Sequence, residues 1–223
     1  MSGLARCLAP AGLLLGLLLV GGAPPAPAET VPASIAFVVN RDGSPIGTHR
    51  LAFHTEPGPD GERLIVDINI DIKVRAGFVT LYRYTFKGRE TWKGGKLLAL
   101  DSVTDDDGAK TTVQVRATEA GLRVDAPHAH YVAPPDTLPD SYWHPDTVKH
   151  RHFIDNENGK LVDLISTPAG HRTITVDSKP VELALYQLAG ETTGEIGYGA
   201  DGQWMSLRLL SHGSDILYTR EPQ

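Results

Sequence analysis

Two His-x-His pairs, His128-Ala129-His130 and His150-Arg151-His152, are the residues whose type and spacing come nearest to a chemistry. On a strand, residues i and i+2 project from the same face, the spacing at which two imidazoles share one zinc ion. His144 stands between the pairs, and together they make five of the nine histidines. Their settings argue for a plainer role. His150 and His152 follow Lys149 in a solvated basic patch, and His128 and His130 lie in a Pro-rich stretch. No metal is expected. Asp105-Asp106-Asp107-Gly108 suggests calcium, but an EF-hand loop with its glycine at Gly108 would run from Val103 to Gln114, and neither end is a carboxylate. A hairpin turn explains the run better. Asp67, Asn69 and Asp71 share a polar face where solvation accounts for them, whereas a glycosidase needs two carboxyls facing each other across a cleft. The P-loop, the G-x-S-x-G elbow and the H-E-x-x-H helix are absent from the sequence. No catalytic residue and no cofactor is assigned.

Binding is the chemistry left open, and aromatic side chains carry it. Tyr82, Tyr84 and Phe86 alternate on one strand face, Trp92 follows Glu90 at a strand end, and Tyr142-Trp143 sits in the longest irregular stretch. Tyr82, Tyr84, Trp92, Tyr142 and Trp143 are the candidate ligand-binding residues, with an apolar or lipid-like small molecule as the expected partner. The same side chains would serve equally as core or as the lining of a cavity.

The elements that position them are strands. Leu64 to Val74 reads L-I-V-D-I-N-I-D-I-K-V: the even positions are aliphatic and, past Ile65, the odd ones are Asp, Asn, Asp and Lys. That period of two gives one apolar and one wet face, and on a helix it would scatter the apolar residues around the whole cylinder. Asp42-Gly43, Asp60-Gly61, Asp107-Gly108, Asn158-Gly159 and Asp201-Gly202 are hairpin signals, and Gly94-Gly95 and Gly121 mark two further turns. The expected fold is all-β: a curved antiparallel sheet or barrel-like meander of hairpins, with almost no room for helices. Ala76-Gly77 interrupts the longest alternation, which resumes as Phe78, Thr80, Tyr82, Tyr84 and Phe86, and it reads as a bulge or bend within a curved strand. Likewise Thr167 to His171 separates candidate strands at 160–166 and 172–177. Ala126 to Pro145 is too Pro-rich for an interior strand and reads as one long loop, either a lid over a ligand or a cap over one end of a barrel.

Compartment and domain organisation come from the N-terminus. Arg6 precedes an apolar run, Leu13 to Val20, too short to span a bilayer, and Ala26-Pro27-Ala28 ends a small, Pro-rich exit. Residues 1–28 therefore read as a signal peptide cleaved before Glu29, and 29–223 as a single domain, periplasmic or secreted. Cys7 is the only cysteine, so the exported domain would hold together without disulfides. A net charge of −6 argues against nucleic acid or an anionic membrane surface as partner. No later run is long enough to span a membrane.

The segments F-V-V-N-R-D-G-S-P-I-G-T-H (37–49), V-D-I-N-I-D-I-K-V (66–74), L-Y-R-Y-T-F-K-G-R-E-T-W (81–92), L-D-S-V-T-D-D-D-G (100–108) and L-P-D-S-Y-W (138–143) resemble the bacterial exported domain-of-unknown-function family numbered 6134. I-G-Y-G-A-D-G-Q-W-M-S-L-R-L (196–209) with G-S-D-I-L-Y (213–218) is similar to the ending of the family numbered 3108. More distantly, the layout resembles the lipoprotein-carrier superfamily, which implies a curved sheet around an apolar cavity for acyl chains. This chain departs from those carriers in offering no amphipathic helix to plug the sheet, so only the 135–148 loop could act as a lid. The leading expectation is a non-enzymatic, exported binding or envelope-associated module. A hydrolase with a dispersed site and a structural or interaction protein with a filled core are the alternatives.

Overall fold

The computed structural model describes residues 31–211 and 213–221. The expected signal peptide, residues 1–28, and Cys7 fall outside them. Strands β1 (Ile35–Arg41), β2 (Ser44–Gly58), β3 (Gly61–Ala76), β4 (Val79–Lys93), β5 (Lys96–Asp106), β6 (Ala109–Thr118), β7 (Gly121–Ala126) and β8 (Ala129–Ala133) run as successive antiparallel hairpins. The second run is β9 (Leu138–Pro139), β10 (His152–Ile154), β11 (Leu161–Val176), β12 (Lys179–Gly190), β13 (Gly194–Gly199), β14 (Trp204–Ser211) and β15 (Ser214–Arg220). Pairing of β1 with β15 joins the two runs into one fifteen-stranded sheet whose edges are β8 and β9. Those edges are consecutive in the chain, so residues 134–137 tie them together covalently where no ladder does. The result is a strongly curved, barrel-like antiparallel sheet. Among the described residues the β9–β10 pair alone is parallel.

Local chemistry sets the reversals. Asp42-Gly43 (φ 49° and 81°) and Asp107-Gly108 (φ 49° and 97°) supply the two positive-φ positions that make a two-residue turn twist with its strands. Ala76-Gly77 is corrected: it is not a bend within one strand but the start of a hairpin reversal, with Gly77 at φ 58°. Phe78 therefore leaves the face shared by Tyr82, Tyr84 and Phe86 and is fully exposed. The 167–171 break is also corrected. β11 passes through it with a bulge between Pro168 and Gly170. This stretch pairs only with β12, so the missing N–H of Pro168 costs no ladder bond. Likewise the long loop contains an edge strand, β8, whose prolines Pro127, Pro134 and Pro135 flank it without entering it.

Inside the curve lies one large apolar core. The even residues of β3 enter it as expected, with Leu64, Val66 and Ile68 buried and Ile70 and Ile72 half-buried at one end. On the outer face Arg89 bridges Asp67 and Glu56, so that face is ion-paired as well as wet. Ile65 departs from the alternation and is buried on that outer side, where its cross-strand neighbours are His54 and Thr91. Residues 138–160 fold against the inner face, where Leu138, Trp143, Phe153 and Ile154 join the core. The helical content of the described residues is one 3-10 turn, Thr147–Lys149. None of their helices is long and apolar enough to cross a membrane.

Candidate functional site

In an antiparallel meander alternate turns gather at one end, which places the turns after β1, β3, β5 and β14 around a common rim. Within that rim opens a cavity of about 550 Å³, inside the range of small-molecule sites, about 300–1,000 Å³. Its walls are aliphatic residues of β2, β3, β14 and β15 (Ile46, Ile70, Ile72, Val74, Leu209 and Ile216) with Tyr82, Tyr84 and Tyr218. Arg41, Asp106, Glu157 and Ser211 supply its polar points. A second hollow of similar volume crosses the outer face between Arg50, Asp67, Lys87, Arg89 and Asp101. It is a charged surface groove, so the inner cavity is the better candidate.

Glu157 reaches the cavity because the loop joining β10 to β11 is turned inward and fastened. Asp155 Oδ1 accepts the N–H groups of Glu157 and Asn158 (2.8 and 3.1 Å), and its Oδ2 accepts the Asn158 amide (2.6 Å). Ser102 Oγ donates to Asn156 O (2.6 Å) and Tyr131 OH to Gly159 O (2.9 Å), pinning the loop to β5 and β8. Gly159, at φ 77°, presses so closely on β7 that a Cβ there would lie 2.7 Å from that of Ala126. From this anchored loop Glu157 Oε1 accepts the Tyr84 hydroxyl at 2.5 Å. Although Glu157 as a residue is exposed, desolvation of its inward-turned carboxyl raises it above its ordinary value, the Tyr84 bond opposing, and burial with the Glu157 charge drives the Tyr84 phenol far upward. Tyr82 is raised by burial and by Asp106, and Tyr218 by burial. The cavity thus presents neutral phenols and two carboxyls against an aliphatic wall. Behind it Asp140, whose Oδ1 accepts Asn156 N at 3.0 Å, is pushed well above the usual carboxyl range by burial and by Asp155.

The five sequence-predicted residues divide. Tyr82 and Tyr84 line the cavity. Trp92 and Trp143 meet instead in the filled part of the core, where both indole N–H groups donate to Glu90 Oε2 at 2.8 Å. Glu90 is 0% exposed, its Oε1 has no hydrogen-bond partner among the described residues, and burial raises its carboxyl. Tyr142, at φ 62°, packs its ring 5.7 Å from Trp204, and its carbonyl accepts the Tyr198 hydroxyl at 2.7 Å. It too is absent from the cavity wall. Sequence reasoning missed Glu157, Asp106 and Tyr218. Tyr218 alternates with Ile216 and was there to be read, but nothing in D-N-E-N-G says that its turn points inward.

The histidines do not converge. His130 Nδ1 bonds Asp125 and His152 Nδ1 bonds Asp163, each at 2.7 Å, while His144 stacks 5.2 Å from Trp92. Among the described residues no three His, Cys, Asp or Glu side chains are grouped to hold a metal.

A barrel-like antiparallel sheet with a packed interior and one tyrosine-lined end cavity places the protein among all-β, barrel-like domains. The chain belongs to the family described as Domain of unknown function (DUF6134), whose model matches residues 37–221. In fold it is similar to the beta-barrel-like protein of domain of unknown function DUF1849 from Brucella abortus, with a TM-score of 0.57 and 9% identity over 86% of this chain and 96% of that one. At that identity the likeness is one of fold. No curated protein matches the chain.

Proposed function

We propose that the chain is an exported binding module that holds the apolar part of an amphipathic small molecule in the end cavity, its polar end meeting Arg41, Asp106 and Glu157. One observation carries this reading: the cavity wall is a continuous aliphatic and tyrosine surface left unfilled, in a molecule whose interior is otherwise packed. Export rests on the leader, and the intact mass of the exported protein should begin at Glu29. The test is native mass spectrometry of protein recovered from the periplasm, beside uptake of an apolar environment-sensitive dye. A bound small molecule in the wild type, lost together with dye uptake in a cavity-filling Ile72→Trp variant, is expected. No adduct, and dye uptake equal in both proteins, would end the reading.

A hydrolase is the second reading, and one observation favours it: Asp106 and Glu157 share the cavity, where desolvation raises the Glu157 carboxyl above its ordinary value. Chemical conversion of the co-purifying molecule that stops in Glu157→Gln would move the assignment there.

A further inference from the structure

Three exposed apolar side chains stand together at the tip of the β3–β4 hairpin, where Phe78 is fully exposed and Val79 and Leu81 are each 61% exposed. This tip stands outside the sheet. Pairing of β2 with β3 stops at Gly47↔Ile72, and pairing of β4 with β5 stops at Tyr84↔Asp106. Residues 73–82 continue past these ladders as a two-stranded arm, through Val74↔Tyr82 to Ala76↔Val79, while at its base the Arg83 carbonyl still accepts the Asp107 N–H at 2.8 Å. At about 3.3 Å per residue the arm reaches roughly 15 Å past its last ladder pairs with β2 and β5. A bare hairpin with an apolar tip has little reason to persist unless something covers it.

Its charge says what. Residues 73–83 contain Lys73, Arg75 and Arg83 and no carboxylate, in a chain whose net charge is −6. Lys73 is paired with Asp71 at 3.2 Å. Arg75 and Arg83 have no ion-pair partner among the described residues. Charges separated by more than about 10 Å are screened at 0.1 M salt, so a surface meeting the tip feels the arm more than the acidic whole, with Arg83 at the arm's base beside the Asp105-Asp107 turn. A convex tip only two residues wide cannot offer the roughly 800 Å² per partner of a stable protein interface, whereas lipid conforms to any convex apolar wedge.

We propose that the β3–β4 arm docks the protein on an anionic lipid bilayer. Phe78, Val79 and Leu81 enter the headgroup boundary, and Arg75 and Arg83 meet its negative charges. Val74 and Tyr82 belong to the arm and to the cavity wall, so docking sets the cavity mouth at the membrane surface. The expectation drawn from net charge, that anionic membranes are disfavoured, thereby applies to the body of the protein and not to its arm.

The test is cosedimentation of the chain from Glu29 onward, which contains all fifteen strands, with vesicles of phosphatidylcholine alone or mixed with phosphatidylglycerol. Binding to the mixed vesicles is expected. Arg75→Gln/Arg83→Gln should weaken it about 25-fold, about fivefold for each arginine, and added salt should mimic that loss. Phe78→Ser/Leu81→Ser should abolish retention while the circular dichroism and urea midpoint stay unchanged, because all four positions are exposed. Absence of binding to phosphatidylglycerol vesicles, or equal binding by the variants, would overturn the proposal. So would a dimer that Phe78→Ser/Leu81→Ser dissociates without any vesicle binding, which would assign the arm to self-association. Dye uptake by the cavity is measured separately, so failure of the arm and failure of the binding reading are distinguishable.

Discussion

Trp143→Ala separates a lid from a plug. Trp143 is 7% exposed, lies 5.2 Å from the rings of both Phe53 and Trp92, and donates its indole N–H to Glu90. Large aromatic-to-alanine changes in a core cost about 3–5 kcal/mol. Here the change also removes one of the two indole donors from a fully buried carboxyl, which places the expected loss near the upper end, about 4–5 kcal/mol. With a urea slope of about 2 kcal/mol/M, the midpoint should fall by roughly 2 M. Trp143→Phe dissects the effect. It keeps most of the ring but not the N–H, and should cost about 1–2 kcal/mol. Urea melts followed by circular dichroism give the stability term, and dye uptake in native buffer reports the end cavity. Because Trp143 does not line that cavity, uptake should be unchanged in both variants. A stability loss under about 1 kcal/mol with increased dye uptake would show that the loop is a lid and that its packing has been misjudged.

Three further outcomes are expected. His49 is buried among Phe37, Trp204 and Tyr218 with neither ring nitrogen bonded among the described residues, and desolvation lowers its pKa from 6.5 to about 3. The unfolded chain therefore binds a proton that the fold refuses between those values, and stability drops by about 1.4 kcal/mol per pH unit as pH falls through the window. His49→Leu should abolish that slope, and an acid-unfolding midpoint that does not move would refute it. Glu90 has the opposite sign: raised by burial, it binds more protons folded than unfolded just above its ordinary range, so stability falls as pH rises there. Glu90→Gln should remove the slope and be more stable at neutral pH, its amide oxygen still accepting both indoles; melts across pH decide. Finally, Ile68→Asp, at a site 3% exposed, should cost several kcal/mol, and Ile70→Asp less because its carboxylate reaches the cavity. Equal costs at the two positions would place the floor of the cavity elsewhere.

What the sequence revealed and what it hid divide along one physical line. Leu64 to Val74 and the Asx-Gly turns state their structure locally, through a period of two and through positive φ, and they stand where they were expected. Ala76-Gly77 misleads because alternation on both sides of a reversal looks the same as alternation through a bend. Ala129 to Ala133 and the Pro168 region were hidden by prolines that an edge strand, or a strand paired on one side, accommodates without losing a bond. The site was harder still. Tyr82 and Tyr84 could be nominated from the face they share, but Trp92 and Trp143 bind one carboxylate from distant parts of the chain. Glu157 enters the cavity only because Ser102 and Tyr131 draw its loop inward. Such directions are set by the assembled fold, and no window of sequence contains them.

The two ends of the sheet therefore do different work. The end near Trp92 and Trp143 is closed by side chains hydrogen-bonded to a buried carboxyl, an arrangement that is costly to disturb and suited to holding one geometry. At the other end Ile70, Ile72 and Tyr218 leave space, and the loop carrying Glu157 is tied on three sides, to β5, β8 and its own Asp155. Neither the tryptophan plug nor that loop is free to act as a gate. On the proposed binding reading, a ligand enters along the axis of the curved sheet, past the rim from which the β3–β4 arm projects. On the same reading the arm and the cavity are parts of one device, because Val74 and Tyr82 belong to both and whatever surface the exposed tip meets is also what the cavity mouth faces.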